Sequence, residues 1–240
     1  NTLSYQSSSK RVQVDLLSNT AIVDKDADDN FEAYVEGVNT DDEQDTITNF
    51  KNVIGSNQAD ILIAGNNGHK IEGRTGTDTI TDGTGVDILE GGGDDDTFIM
   101  TVTKDNLGAI TDVVNGIDTV DGGSTSDIDT IDYSAITDSS LGIHVTLKGS
   151  NQTSVTLNDG TTTLDNIKNI ENVIGTAGDD SLRGDGSDNI LRGEAGVDSL
   201  RGGSGEDTLY GGDNDDSLDG GEDVDTLIGG EGDDTLSGGL

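Results

Sequence analysis

The chain of 240 residues is strongly acidic, with 49 Asp and Glu residues, 12 Lys and Arg residues and a formal net charge of −37 at pH 7. This charge excludes nucleic acids and anionic membranes as partners, because both bind basic surfaces, and it favours cations. Aromatic residues make up 3% of the chain, and Cys, Trp and Pro are absent, which excludes disulfides and thiol chemistry. A chain this charged and this poor in apolar residues stays disordered unless something besides a hydrophobic core stabilises its fold.

Residues 1–51 are predicted to form a β-rich flank, because the segments "RVQVDL" and "AIVD" alternate apolar and polar residues. The acidic segment "DKDADD" at 24–29 resembles the start of an EF-hand loop. Asp29, however, stands where that loop requires Gly, and Val35 stands where it requires a bidentate Glu. A solvated acidic loop is therefore favoured here over an additional calcium site.

Residues 52–100 are predicted to form a first, degenerate array of nonapeptides, which begins at Gly55 and reads GSNQADILI, AGNNGHKIE, GRTGTDTIT, DGTGVDILE and GGGDDDTFI. One apolar residue in nine excludes an amphipathic helix, whose apolar positions recur every three or four residues. The residues around the apolar position predict a short strand, and the glycine-rich remainder predicts a turn. The sixth positions are occupied by Asp60, His69, Asp78, Asp87 and Asp96.

Residues 101–171 are predicted to contain a linker and a second β-rich flank, in which "IHVTL" and "TSVTL" alternate apolar and polar residues. The sequence "NVIG" occurs at 52–55 and again at 172–175, and from there the two halves align without a gap at an offset of 120 residues. The chain is therefore a tandem duplication of a flank followed by an array. Each flank is expected to cap an exposed end of its array, because an open strand edge invites further pairing.

Residues 172–240 contain a second array of seven consecutive nonapeptides with the pattern G-G-x-G-x-D-x-U-x, where U is a large apolar residue. Two strand-and-turn units make one coil of 18 residues, so that strands 18 residues apart stack in parallel with their leucines between two sheets. The predicted fold is therefore all-β, with two tandem right-handed parallel β-rolls, each preceded by a β-rich capping flank. The sixth positions of this array are Asp180, Asn189, Asp198, Asp207, Asp216, Asp225 and Asp234.

Stacking of the coils predicts where the sixth-position side chains meet. Asp180, Asp198, Asp216 and Asp234 are expected along one edge of the second roll, and Asn189, Asp207 and Asp225 along the other. In the first roll, Asp60, Asp78 and Asp96 share an edge and His69 lies over Asp87. Two carboxylates and several loop carbonyls between successive turns offer the six to eight flexible oxygen ligands that Ca²⁺ prefers over Mg²⁺, and zinc would require Cys or His. The sequence therefore predicts several calcium ions per chain.

The nonapeptide pattern is that of the calcium-binding repeat-in-toxin (RTX) proteins, and the chain resembles this family across both arrays. The segments "TITNFKNVIG" and "NIKNIENVIG" also resemble the lead-in to the arrays of large surface proteins in the family. The resemblance implies that the first and third carbonyls of a turn bind one ion together with its Asp, and that the second and fourth carbonyls and the same Asp bind the next. In addition to the sixth-position Asp and Asn residues, it assigns calcium to Gly193, Ala195, Gly196, Gly202, Gly203, Ser204, Gly205, Gly211, Gly212, Asp213, Asn214, Gly220, Gly221, Glu222, Asp223, Gly230 and Gly232.

Departures from the pattern predict weaker binding in part of the chain. Ala64, His69, Lys70 and Asp82 interrupt it in the first array, where fewer or weaker sites are expected. His69 is interpreted as a decayed site rather than as a ligand. Asn189 is a neutral ligand, so its site is expected to be weaker than its neighbours.

The resemblance implies a protein that leaves the cell unfolded through type I secretion and folds in extracellular calcium. The function predicted on this basis is a non-enzymatic structural module of a secreted or surface bacterial protein, with an adhesin favoured. The alternative is the non-catalytic C-terminal part of an RTX hydrolase or toxin. A third reading assigns ice or sugar binding to the Ser and Thr residues at the seventh positions, although such residues also suit any exposed strand. Expected partners are calcium and the secretion machinery, without nucleic acid or membrane insertion.

Overall fold

The structure is a computed structural model that describes residues 2–6, 8, 10–18, 20–23, 43–46, 50–102 and 117–240. The acidic segment 24–29 lies outside these residues. Every regular element in the described ranges is a β-strand, as the sequence predicts. The strands are β1 (Thr2–Ser4), β2 (Val12–Asp15), β3 (Thr20–Val23), β4 (Glu43–Thr46), β5 (Asn52–Ile54), β6 (Ile61–Ile63), β7 (Lys70–Thr75), β8 (Thr79–Thr81), β9 (Ile88–Gly93), β10 (Thr97–Ile99), β11 (Asp118–Gly123), β12 (Thr130–Asp132), β13 (Ile143–Thr146), β14 (Thr153–Leu157), β15 (Thr163–Lys168), β16 (Asn172–Ile174), β17 (Ser181–Arg183), β18 (Ile190–Ala195), β19 (Ser199–Gly203), β20 (Thr208–Asp213), β21 (Ser217–Gly221), β22 (Thr226–Glu231) and β23 (Thr235–Ser237).

The nonapeptide spacing sets the register of the arrays. In one sheet Leu182 lies beside Leu200 and Leu200 beside Leu218, while in the other sheet Leu191 lies beside Leu209. Each of these parallel pairs joins residues 18 positions apart, so one coil contains two strands and two turns. Successive side chains of a strand alternate between the two faces of its sheet, which directs each of these leucines inward. The parallel β-roll predicted from the sequence is confirmed.

Two sheets run through both arrays. One has twelve strands in the order β1-β5-β7-β9-β11-β15-β14-β13-β17-β19-β21-β23, and the other has eleven in the order β22-β20-β18-β16-β12-β10-β8-β6-β2-β3-β4. The two rolls therefore share their sheets. β11 and β12 form one additional coil after the first array, in which Val120 lies beside Leu89 and Ile131 lies beside Phe98.

The two sheets cross from the first array to the second in different ways. In the eleven-stranded sheet, β12 pairs directly with β10 and with β16, and all three strands are parallel. In the twelve-stranded sheet, β15 pairs in parallel with β11. β14 then pairs antiparallel with both β15 and β13, and β13 pairs in parallel with β17. Strands β13, β14 and β15, which lie between the arrays, thus all belong to the twelve-stranded sheet.

The core is a row of apolar side chains between the two sheets. Most strands of the arrays contribute one side chain to this row. Leu62, Ile80, Leu89 and Leu209 are fully buried, and Tyr133 is the largest buried side chain. This row of side chains ends at the last coil, where Leu236 is 47% exposed. In the described part of the chain, no helix is long and apolar enough to cross a membrane.

Candidate metal centre

The glycine-rich turns between strands have left-handed backbone at alternate positions. In the turn 202–207 the φ angles of Gly203 and Gly205 are 133° and 107°. A methyl group on Gly202 would overlap Oδ2 of Asp207 and lie 2.6 Å from the carbonyl oxygen of Gly220. Because glycine carries no Cβ, this space stays open to the carboxylate and to the carbonyl of the next coil.

Non-glycine residues take the same left-handed positions in several turns. Glu194 has a φ of 77°, Asn214 of 81° and Asp223 of 80°. Asn and Asp tolerate this region better than other residues that carry a Cβ, which accounts for Asn214 and Asp223 but not for Glu194.

The sixth-position side chains form two ladders along the roll. The backbone N–H of Asp180 donates to Oδ1 of Asp198 at 2.7 Å, and the N–H of Asp198 donates to Oδ1 of Asp216 at 2.8 Å. On the other side, the N–H of Asn189 donates to Oδ1 of Asp207 at 2.8 Å, and the N–H of Asp207 donates to Oδ1 of Asp225 at 3.0 Å. One oxygen of each carboxylate is therefore used to link neighbouring coils, and the two predicted edges of the second roll are confirmed.

The first roll is arranged in the same way. The N–H of Asp60 donates to Asp78 at 2.7 Å, and that of Asp78 donates to Asp96 at 2.8 Å. The N–H of His69 donates to Oδ1 of Asp87, so the predicted stacking of these two residues is also confirmed.

The turns fall into two groups, according to whether the second oxygen of the sixth-position side chain has a hydrogen-bond donor. In the first group, which we call open turns, this Oδ2 atom is buried and has no hydrogen-bond partner. Each open turn has a left-handed residue in its second position. A buried carboxylate oxygen without a donor is costly, and it is stabilised by a cation or by a proton. The carboxylates of the open turns are Asp78, Asp96, Asp129, Asp198, Asp207, Asp216 and Asp225.

In the second group, which we call closed turns, the backbone N–H of the second residue donates to the sixth-position side chain. Ser56 donates to Oδ2 of Asp60 at 2.5 Å, and Thr176 donates to Oδ2 of Asp180 at 2.7 Å. The second residues of these turns are not left-handed, which leaves their N–H groups pointing at the side chain. The turns that end in Asp87 and Asn189 close in the same manner, through Gly83 at 3.3 Å and Asp185 at 2.9 Å.

The remaining candidate turn, 229–234, ends the roll. Gly230 and Gly232 have φ angles of 119° and 141°, as in the open turns. Oδ1 of Asp234 accepts the N–H of Asp216 at 2.9 Å. Asp234 is half-buried, because no described coil covers it.

The ligand chemistry of the open turns fits calcium. Within the described ranges, no group of three or more His, Cys, Asp or Glu side chains could hold a metal by itself. An ion at an open turn must therefore also take backbone carbonyl oxygens, such as that of Gly220 beside the turn of Asp207. A set of carboxylate and carbonyl oxygens suits Ca²⁺, which accepts many oxygen ligands in flexible geometry.

Burial and repulsion raise the pKa values of the open-turn carboxyl groups. Burial raises the pKa of Asp78 to about 8, and the neighbouring carboxylates of Asp60 and Asp96 add to the effect. The pKa of Asp198 is raised to about 7, first by burial and then by Asp180 and Asp216. In the absence of a cation, these buried groups therefore retain protons near neutral pH.

His69 lies over Asp87, whose own turn is closed. Its Nδ1 atom is 3.5 Å from Oδ1 of Asp87, and burial lowers the pKa of His69. His69 occupies the sixth position of its repeat, which is Asp in the other repeats of the first array. This agrees with the interpretation of a decayed site.

Three ladder residues lie outside the nonapeptides of the two arrays. In one ladder, the N–H of Asp87 donates to Oδ1 of Asp118 at 2.7 Å. In the other, the N–H of Asp96 donates to Oδ1 of Asp129 at 2.8 Å, and the N–H of Asp129 donates to Oε2 of Glu171 at 2.9 Å. The signal for Asp129 is the sequence "GGSTSDIDTI", which has the glycine pair and the Asp-Thr-apolar triplet but two additional residues between them. A search at a fixed period of nine does not find it.

Comparison with protein families agrees with this geometry. A model of the RTX calcium-binding nonapeptide repeat matches the chain in four copies, at residues 71–99, 169–200, 193–227 and 210–240. No curated protein matches the chain.

Proposed function

Because this chain is an RTX repeat protein that binds several calcium ions, we propose that calcium drives its folding and that it serves as a structural module outside the cell. The observation that carries this proposal is the set of buried, unpartnered carboxylate oxygens in the open turns. The described residues include seven such atoms without donors, and when these carboxylates are ionised, cations are needed to offset the cost of burying them.

The net charge supports the same conclusion. At −37, the chain repels itself, and the carboxylates of each ladder are stacked directly over one another. The core supplies little compensation, since a typical coil of the arrays buries only two large apolar side chains. Each bound ion removes repulsion and also links two coils. Folding is therefore expected to follow the calcium concentration, with a midpoint of about 10⁻⁴–10⁻³ M, the range of extracellular modules.

The proposed setting is a bacterial surface protein, with an adhesin as the favoured parent. Two continuous sheets of eleven and twelve strands, at about 4.8 Å per strand, make an elongated body of roughly 50 Å. A chain that is unfolded at low calcium suits export by type I secretion. The rigid body that it forms at high calcium then suits the role of a spacer. The role is structural rather than catalytic, because the carboxylates are committed to the turns as ligands.

Far-ultraviolet circular dichroism during a calcium titration tests the proposal. We expect a coil spectrum in chelator and a cooperative gain of β-structure as calcium rises. Magnesium at the same concentrations is the control, and it is expected to induce much less structure because it prefers a tight octahedron with several waters. A full β-spectrum that persists in excess EDTA at pH 8.5, where the buried carboxyl groups have lost most of their protons, would show that calcium does not drive folding.

A further inference from the structure

The coil between the two arrays contains a turn with the geometry of an open turn, although it lies outside the residues matched by the repeat model. This junction turn, residues 122–129, begins with the last two residues of β11 and precedes β12. It stacks on the last turn of the first array, because Gly123 lies beside Gly92 in the sheet. The φ angles of these two glycines, 123° and 125°, are nearly the same.

Asp129 has the two properties that distinguish the open-turn carboxylates. Its side chain is fully buried, and its Oδ1 accepts the N–H of Asp96 at 2.8 Å. Its Oδ2 is buried and unpartnered. This atom is directed into the turn, since a methyl group on Gly122 would overlap it and the carbonyl oxygen of Asn169.

The neighbouring turn offers oxygens toward the same junction. A methyl group on Gly91 would overlap Oδ2 of Asp96 and lie 2.7 Å from the carbonyl oxygen of Gly122. The carboxylate of one turn and the glycine carbonyl of the next therefore converge, as they do for Asp207 and Gly220 in the second array. The two additional residues of the junction turn are accommodated on its outside, where Ser124 and Thr125 are exposed.

Asp129 also completes a ladder that spans the molecule. Together with Glu171, it fills the interval between the last ladder residue of the first array and Asn189 of the second. All members of this ladder immediately precede strands of the eleven-stranded sheet. The ladder of the twelve-stranded sheet has no such continuity, because β14, which runs antiparallel to its neighbours β13 and β15, interrupts the parallel stack.

We propose that the junction turn is a calcium site that joins the first array to the coil between the arrays, held by the carboxylates of Asp96 and Asp129 with backbone carbonyl oxygens of the two stacked glycine turns. The proposal rests on the calcium binding of the arrays described above. Its ion links the last turn of the first roll to the coil through which the eleven-stranded sheet continues toward the second roll.

Calcium stoichiometry of the complete chain, measured by titration calorimetry with CaCl₂, tests the site. Asp129→Asn keeps an oxygen to accept the N–H of Asp96 but removes the anionic ligand, and we expect it to bind at least one calcium ion fewer than the wild-type chain. The control is Asp132→Asn, which makes the same charge change on the outer face of β12 and preserves an acceptor for the N–H of Ser134. The control is expected to bind the wild-type number of ions.

A pair of glycine variants tests the same site without changing charge. Gly122→Ala would place a methyl group in the space between Asp129 and Asn169, whereas Gly186→Ala meets nothing within 4 Å. We expect Gly122→Ala, like Asp129→Asn, to lose at least one ion, and Gly186→Ala to lose none. Circular dichroism in saturating calcium verifies that each variant retains its β-structure.

The outcomes separate this inference from the proposed function. A wild-type chain that binds no calcium would overturn the proposed function itself. A wild-type chain that binds several ions, with Asp129→Asn and Gly122→Ala binding the same number, would overturn the junction site alone. Lower thermal stability of these variants at unchanged stoichiometry would likewise assign Asp129 a structural role only.

Discussion

At the scale of single residues, the backbone of the second turn position decides whether a carboxylate is available to a cation. Ser56 donates its N–H to Asp60, so both oxygens of that carboxylate have protein donors. Gly203 is left-handed, and Oδ2 of Asp207 has no donor. Two Asp residues at the same repeat position are thereby given different chemistry by the residue four positions earlier.

Replacing these two Asp residues by Asn should have unequal effects on calcium binding. Asp207→Asn removes an anionic ligand from an open turn in the interior of the second array, and we expect its calcium midpoint to rise by about tenfold or more, or about 1.4 kcal/mol. Asp60→Asn should shift the midpoint much less, because its turn is already closed by N–H donors. A circular dichroism titration measures both midpoints, and equal shifts would contradict the distinction between open and closed turns.

At the scale of elements, each short strand of the arrays is stabilised by its neighbours in the stack rather than by its own length. Three to six residues with one inward side chain bury too little to be stable alone. Leu209 is fully buried between coils on both sides, whereas Leu236 in the last strand is 47% exposed. The contribution of a leucine therefore depends on its place along the roll.

Truncation of these two leucines compares an interior strand with a terminal one. Leu209→Ala is expected to lower the free energy of unfolding by about 2–5 kcal/mol, as for other fully buried leucines. Leu236→Ala should cost well below 2 kcal/mol, because its side chain is only partly buried. Chemical denaturation in saturating calcium measures both values. Similar losses would mean that the last coil is covered as completely as the interior.

At the scale of the whole molecule, protons and calcium compete for the same buried oxygens. Burial, followed by repulsion from Asp96 and Glu171, raises the pKa of Asp129 to about 8. Burial likewise raises the pKa of Asp96 to about 7 and that of Asp207 to about 6. A carboxyl group whose pKa is raised on folding binds more protons in the folded state than in the unfolded state between the two pKa values. The metal-free fold is thus stabilised as pH falls from about 8 toward 4, and that stability is lost as pH rises through the same range.

This linkage predicts opposite responses to acid with and without calcium. In metal-free buffer, lowering the pH from 8.5 to 5.5 should increase the β-signal, because the buried carboxyl groups take up protons. Over the same range the calcium midpoint should rise, since calcium must displace those protons. Circular dichroism in buffer stripped of metals, and in buffer titrated with calcium, measures both effects. A calcium midpoint that falls on acidification would contradict the assignment of these groups as ligands.

The spacing of nine residues was sufficient to predict the strands, the turns and the 18-residue coil, because each depends on residues close together in the chain. It was also sufficient to predict which sixth-position residues stack, including His69 over Asp87, because a coil of constant length repeats its register. The tertiary structure alone decided that the two rolls share continuous sheets and that Asp129 and Glu171 complete a ladder. These features depend on pairing between distant strands, which tolerates an insertion of two residues in a turn. The division into open and closed turns was likewise decided by the folded backbone, since the direction of an N–H group follows from the sign of φ rather than from the repeat pattern.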